Sequence, residues 1–372
     1  MHHLLTPLRA TAIFPRTGAK ARRATALPRR RPSALAIAFA LCAMWSCESR
    51  ASSDWPTRPV TIIVPFVAGG NTDMMARLAA ERLSAKFGQP FVIENRGGAG
   101  GVTGAAQVAR SAPDGYTFLF GAGSQLVLAP LLQKVSYDPD KDLIPITEFG
   151  TGPQILGVKG DMPVNTLQEF IDYAKARPGK LTYAGVGMQT VTAIAAGVLI
   201  ARTGLEMTLV PYKGGVQAVG DLLAGHVDMY FGNASEMLPH LNGGKIKLLA
   251  VATPSRIPQA PDLPAVAETF PGFQFGSWNG FMAPAGTPKE IVDKLVEASI
   301  EAVNTPSVRE KLVQSGIVPG GTTPAQVAER FKADKQLFAD AVKLMGIKGE
   351  SRSPPVAASG GVSLFAHVPG RL

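Results

Sequence analysis

Six loops rich in glycine and small polar residues carry most of the chemistry this chain could perform. The first is Pro65-Phe66-Val67-Ala68-Gly69-Gly70-Asn71-Thr72-Asp73. It follows the β-branched run Val60–Val64 and precedes a helical pattern. Its glycines let backbone approach a ligand closely, and the helix behind it offers unpaired N–H groups with a partial positive end. Such a place suits a carboxylate without any arginine. The helix dipole alone contributes only ~0.3–1 kcal/mol, so several amides must converge there. The same residues also fit a tight strand–helix turn in which Asn71 or Thr72 caps the helix; the sequence leaves both readings open.

Four further loops behind predicted strands supply Ser124 and Gln125, Gly187, Met188 and Thr190, Tyr212 and Gly214, and Asn233. In open α/β sheets ligands collect beyond the carboxyl ends of strands, so these loops can ring one cleft with amides, hydroxyls and an aromatic ring. The candidate ligand-binding set is therefore Phe66, Val67, Ala68, Gly69, Gly70, Asp73, Ser124, Gln125, Gly187, Met188, Thr190, Tyr212, Gly214 and Asn233. Lys213 is either a counter-ion or a solvated turn residue, and Trp278 either a cleft wall or core.

Catalytic alternatives find little support. Gly98, Gly100 and Gly104 give G-x-G-x-x-x-G, a spacing that also occurs in dinucleotide loops. Here it follows the second strand rather than the first. The matching Tyr-x-x-x-Lys pair is Tyr137 and Lys141, and Pro139 between them forbids the helical turn that would join them. No nucleophile elbow, zincin or P-loop motif occurs. Both cysteines, Cys42 and Cys47, lie near the N-terminus, and only His226 and His240 fall in the globular region. No metal site or cofactor is expected from that supply, and few general bases are left beyond scattered carboxylates.

The formal net charge of +9 raises the question of nucleic acid. Residues 1–53 carry a net +8 and the last residues two arginines, leaving −1 between Asp54 and Glu350. A nucleic-acid footprint needs clustered basic residues on the folded domain, so this partner class is excluded. The basic leader ends in Arg29-Arg30-Arg31 and is followed by twelve apolar residues, Ala34 to Trp45. That run is too short for a span of ~20 residues but suits an export signal, with Ser49 and Ala51 at the cleavage positions. The double arginine leaves a twin-arginine route open, and Cys47 an alternative lipid anchor. The expected location is periplasmic.

The rest of the chain must position these loops. Strand–helix alternation predicts a helix from about Thr72 to Phe87, strands at Phe91–Ile93 and Tyr116–Phe120, then a second series with strands at 181–184, 208–210, 227–231 and 247–252. This alternation implies α/β lobes, each a mostly parallel sheet flanked by helices. Thr166 and Glu169 form a capping box. Thr287-Pro288, Thr305-Pro306 and Thr323-Pro324 each read as an N-cap threonine before a proline at the first helical position. The expected division is a leader (1–53), lobe 1 (54–155 with 276–350), lobe 2 (156–275) and a disordered tail (351–372).

These residues together resemble a known family. Trp55-Pro56, Pro65-Phe66 with Ala68-Gly69-Gly70 and Asp73, Glu94-Asn95-Arg96, Asp114-Gly115-Tyr116-Thr117, Pro211-Tyr212-Lys213-Gly214 and Ala283-Pro284-Ala285-Gly286-Thr287-Pro288 occur in order over about Trp55 to Glu350. They are similar to the extracytoplasmic receptors of tripartite tricarboxylate transporters, the Bug proteins. The resemblance implies a two-lobed periplasmic-binding-protein-like fold of type II topology and a monomeric, non-enzymatic receptor for a small organic acid. It also implies large and small integral membrane partner subunits. It places ligand-carboxylate contacts, partly through water, on Phe66 to Gly70, and matches Ser124 to the family's serine after the third strand. Met188 and Thr192 stand where the family commonly has serine and histidine. A thioether in place of a hydroxyl leads us to expect an apolar or aromatic ligand portion there. An exported enzyme, or a sensory module for a membrane signalling partner, is the alternative.

Overall fold

The computed structural model describes residues 54–347; the leader with its cysteines and the tail from Ser351 lie outside them. In chain order, β1 (Val60–Val64), α1 (Asn71–Phe87), β2 (Phe91–Asn95), α2 (Val102–Ala109) and β3 (Thr117–Ala122) come first. A wide helical turn at Ser124–Leu128 and α3 (Ala129–Leu132) lead to the long β4 (Leu143–Lys159). Then follow α4 (Leu167–Lys175), β5 (Leu181–Gly185), α5 (Val191–Thr203), β6 (Met207–Pro211), α6 (Gly215–Ala224), β7 (Met229–Asn233), α7 (Ala234–Met237) and β8 (Ile246–Val251). The chain ends with α8 (Val266–Thr269), β9 (Gly276–Pro284), α9 (Lys289–Asn304), α10 (Pro306–Gln314), β10 (Val318–Pro319) and α11 (Pro324–Leu344).

The strands form one curled mixed sheet in the order β2-β1-β3-β9-β4-β7-β5-β6, with β8 and β10 also on β4. The expected parallel pairing holds within the outer triplets, where β1 pairs β2 and β3, and β5 pairs β6 and β7. The middle differs. There β9 is antiparallel to β3 and β4, and β4 is antiparallel to β7, β8 and β10. β4 changes partners along its length: Leu143 to Pro153 pair with β9, and Gln154 to Lys159 with β7 and β8. Pro145, Gly150, Gly152 and Pro153 punctuate it, which is why it does not read as a strand from sequence. Irregular register near Pro145 and Glu148 accommodates the interruption.

Packing follows the apolar spacing. Met75, Ala79 and Leu83 bury one face of α1 in a cluster with Ile62, Val64, Phe118 and Phe120, and α9 adds Leu295. A second cluster joins Ala218 and Leu222 of α6 to Tyr230 and Val251. Gly88 ends α1 with φ 68°, a left-handed conformation that costs glycine little.

The three Thr-Pro starts behave differently. Thr323 accepts from the Gln326 amide and completes a capping box. Thr305 precedes α10 without a capping bond; its hydroxyl donates back to the Glu301 carbonyl at 3.1 Å. Thr287 does not cap α9, which starts after Pro288; its hydroxyl donates to the Pro284 carbonyl at 2.8 Å instead. The preceding turn has claimed that hydroxyl.

Trp278 is core rather than cleft wall. It is 1% exposed, stacks at 5.3 Å on Phe331 of α11, and donates from Nε1 to Asp334 at 2.6 Å. Burial pushes the Asp334 carboxyl up despite Arg330 and this indole bond, so the carboxylate depends on its donors. Trp278→Phe removes one of them, and urea unfolding should show a loss of roughly 1–3 kcal/mol. A wild-type midpoint in the variant would refute this role.

Candidate ligand-binding site

One cavity of about 50 Å³ opens at the carboxyl ends of the strands. Phe66, Val67, Gly70, Asn71 and Thr72 line it from the β1–α1 connection, and Ala122 and Ser124 from the end of β3. Facing them are Val186, Thr190, Thr192, Gly214, Gly215, Tyr230, Asn233 and Glu236, with Ser277 from β9. Main-chain amides, six hydroxyl-bearing side chains and a few apolar groups are thus gathered from both outer triplets of the sheet.

The α1 N-terminus settles the ambiguity left by the sequence. Neither Asn71 nor Thr72 caps it. Gly70 is the N-cap and has no side chain to offer, so the first helical amide takes its acceptor from elsewhere in the fold. Thr72 turns its hydroxyl to Asn279 Oδ1 at 2.7 Å. The Asn71 N–H donates to Glu236 Oε1 at 3.4 Å, a carboxylate from the opposite wall. Asn71 Oδ1 accepts from Ser235 at 2.8 Å, while its buried Nδ2 has no partner.

Glycines let the two walls approach. A Cβ on Gly214 would lie 2.3 Å from Val67 Cγ2, and one on Gly187 would lie 3.4 Å from the Gly100 Cα. Gly214 has φ −167°, which any residue adopts, so space and not backbone conformation demands glycine there.

The structure therefore brings Phe66, Val67, Gly70, Ser124, Thr190, Gly214 and Asn233 around one cavity. It places other candidates elsewhere. Ala68 and Gly69 are exposed, although Gly69 borders an adjoining cavity. Gln125 is fully buried against Gly101 and Gly121. Gly187 and Met188 lie off the wall, and Tyr212 bonds Asp221 at 2.8 Å. Lys213 is exposed in its turn. The apolar lining comes from Phe66, Val67, Ala122 and Val186, so the inference drawn from the Met188 thioether loses its basis. At the other changed position, Thr192 does line the cavity, sharing a 2.8 Å hydrogen bond with Thr190.

Asp73 supports the loop from beneath. Its carboxylate accepts from the Gly69 amide at 2.9 Å, from Arg77 at 2.8 and 3.0 Å, and from Asn95 at 2.9 Å. Burial by itself would raise this carboxyl; the Arg77, Gly69 and Asn95 bonds outweigh it and hold the group below the usual aspartate range. Its contribution is thus present above the ordinary value of 3.8 and disappears as pH falls through the depressed one. Asp73→Asn should lower stability at neutral pH and flatten the acid limb of a melting-temperature profile. An unchanged limb would contradict the assignment.

Sequence reading missed Asn71, Thr72, Ala122, Val186, Thr192, Gly215, Tyr230, Glu236 and Ser277. Glu236 had a legible signal: it stands three residues after Asn233, at capping-box spacing. Its Oε2 accepts from Asn233 N at 3.4 Å and Nδ2 at 3.2 Å, and from the Tyr230 hydroxyl at 3.5 Å. Burial pushes the Glu236 carboxyl above the ordinary value, with the Asn233, Asn71 and Tyr230 donors opposing.

Comparison with known proteins fits this geometry. The family model described as tripartite tricarboxylate transporter family receptor matches residues 75–342. The chain belongs to this receptor family. Among curated relatives of the receptor is Protein BugT of Bordetella pertussis, 35% identical over 297 residues, which are 79% of this chain and 91% of that one. The R. palustris structure Rpa4515 with adipate is 37% identical with a TM-score of 0.76, covering 79% of this chain and 99% of that one. MatC (Rpa3494) from Rhodopseudomonas palustris with bound malate is 34% identical with a TM-score of 0.74, covering 77% and 100%. The receptor thus shares its α/β fold with periplasmic binding proteins solved with small carboxylates.

For this receptor, Gly214→Ala should weaken ligand binding at least tenfold, because Val67 is β-branched and cannot swing clear. Adding Val67→Ala should restore most of the loss. Calorimetry on the two variants checks both halves, and a double variant no better than the single one would refute the steric account.

Proposed function

We propose that the protein is a periplasmic, non-enzymatic receptor that holds a small carboxylate between two lobes and delivers it to a transporter with large and small membrane subunits. Lobe 1 comprises residues 54–155 and 276–350, and lobe 2 residues 156–275. The observation that carries the reading is the uncapped α1 N-terminus in the cavity wall, where the Asn71 amide takes a carboxylate oxygen as its acceptor. An anion is therefore a suitable guest at that amide. Ser124, Thr190 and Thr192 add hydroxyls, and Phe66 and Val67 cover the ligand's carbon skeleton.

Binding rather than turnover suits the wall. It holds no histidine, cysteine or lysine, and its carboxylate, Glu236, is engaged by Asn71, Asn233 and Tyr230. Relatives solved with adipate and malate support a small organic acid as ligand. The basic leader with its short apolar run supports export, and the family description supports the membrane partner.

Native mass spectrometry of protein taken from the periplasm should show a co-purified organic acid. A thermal-shift screen of such acids should give saturable stabilisation, with affinity of roughly −8 kcal/mol, micromolar, for the best of them. Conversion of a bound acid into product would overturn the receptor reading.

A further inference from the structure

Among the described residues that line the cavity, Glu236 is the one with a formally charged side chain; the others are apolar, amide, hydroxyl or glycine. A carboxylate therefore stands in the wall of a pocket that has no cation to offset it. Glu236 is also held on both sides. It serves the turn into α7 through Asn233, and it reaches across to the α1 amide at Asn71. That amide is one of the donors a ligand carboxylate would use.

We propose that Glu236 is a specificity-determining residue that makes the cavity favour acids carrying one negative charge over dianions of the same length. The proposal rests on the carboxylate-receptor reading and deepens it by naming the ligand's charge class. A monoanion placed at the α1 amides shares the pocket with one carboxylate, whereas a dianion brings a third negative charge into the same poorly solvated space. Repulsion between like charges there is weakly screened. The dianion has one escape, which is to bind together with a proton on Glu236.

The surroundings support both branches. The titratable groups on the elements packed against Glu236 are Tyr230 on β7, His240 beside the adjoining cavity, Asp73, Arg77, Glu81, Arg82 and Lys86 on α1, and Asp221 on α6. Asp73 is paired with Arg77, and Asp221 accepts from Tyr212 and lies 3.5 Å from His226. None supplies a cation to the cavity wall. Burial already biases the Glu236 carboxyl toward its protonated form. The unpartnered Asn71 Nδ2 leaves a donor for a guest acceptor next to the contested amide.

The test is calorimetric titration of matched straight-chain acids, four to eight carbons long, each as the mono- and the dicarboxylate, at a pH where the free acids are ionised. Wild-type protein should prefer the monocarboxylate of a pair. Glu236→Gln should move the mono-to-dicarboxylate affinity ratio toward the dicarboxylate by tenfold or more, about 1.4 kcal/mol. A folded Glu236→Gln protein whose ratio stays within twofold of wild type overturns the proposal. Should the variant not fold, wild type decides alone. Titrations in buffers of different ionisation enthalpy should show proton uptake with dicarboxylates and none with monocarboxylates. Equal uptake for both, or none for either, overturns the proposal. Failure of every acid to bind either protein removes the receptor reading itself, and the proposal with it.

Discussion

A pocket wall that includes no lysine, arginine or histidine among the described residues can offer a negatively charged guest only oriented neutral donors, and much of the molecule's organisation suits that constraint. Neutral donors are individually weak, and a single helix end contributes little in contact with water. They become useful when several point at one place from which water is largely absent. The sheet achieves this by ending β1, β3, β5, β6 and β7 around one cavity, so that each strand-to-helix turn brings its amides or hydroxyls to the same point.

Close approach is the second requirement. Opposite walls can share a small guest when nothing bulky stands between them, and the tightest points are glycines facing side chains or other glycines. Gly214 faces Val67, Gly100 faces Gln189, and Gly187 faces Gly100. Beneath this surface Asp73 binds the Gly69 amide, Arg77 and Asn95, linking β1, α1 and β2 into one support. The residues that line the cavity and the residues that hold it in place are different sets. Asp73 and Gln125 belong to the second set, although their position in the motifs suggested the first.

Much of the architecture was legible from periodicity. Helix α1 with its face of Met75, Ala79 and Leu83, the strands of both outer triplets, and the α11 N-cap at Thr323 all follow from local pattern. The middle strands did not, because β4 and β9 gain their stability from neighbours far away in sequence and carry prolines and glycines that mimic loops. The site shows the same division. Loops behind strands were singled out as the place to look, and seven of their residues meet at one cavity, but the direction of each side chain was hidden. Met188 sits off the wall, whereas Thr192, four residues later, lines it. Glu236 escaped notice because its contact with Asn71 spans 165 residues.

One strand, β4, belongs to two ladders, paired with β9 along its first part and with β7 and β8 along its last. With β9 beside it, β4 is the ribbon through which both outer triplets are mechanically coupled. Any widening of the cavity has to be absorbed as bend or twist near the handover at Pro153 and Gln154. Hydrogen bonds in a ladder tolerate gradual twisting far better than sliding, since a one-residue slip would turn every side chain over. Rotation about this ribbon leaves register intact, but a third buried cluster joins Ile63 and Leu119 to Ala195 and Phe231 across both outer triplets and has to yield with it.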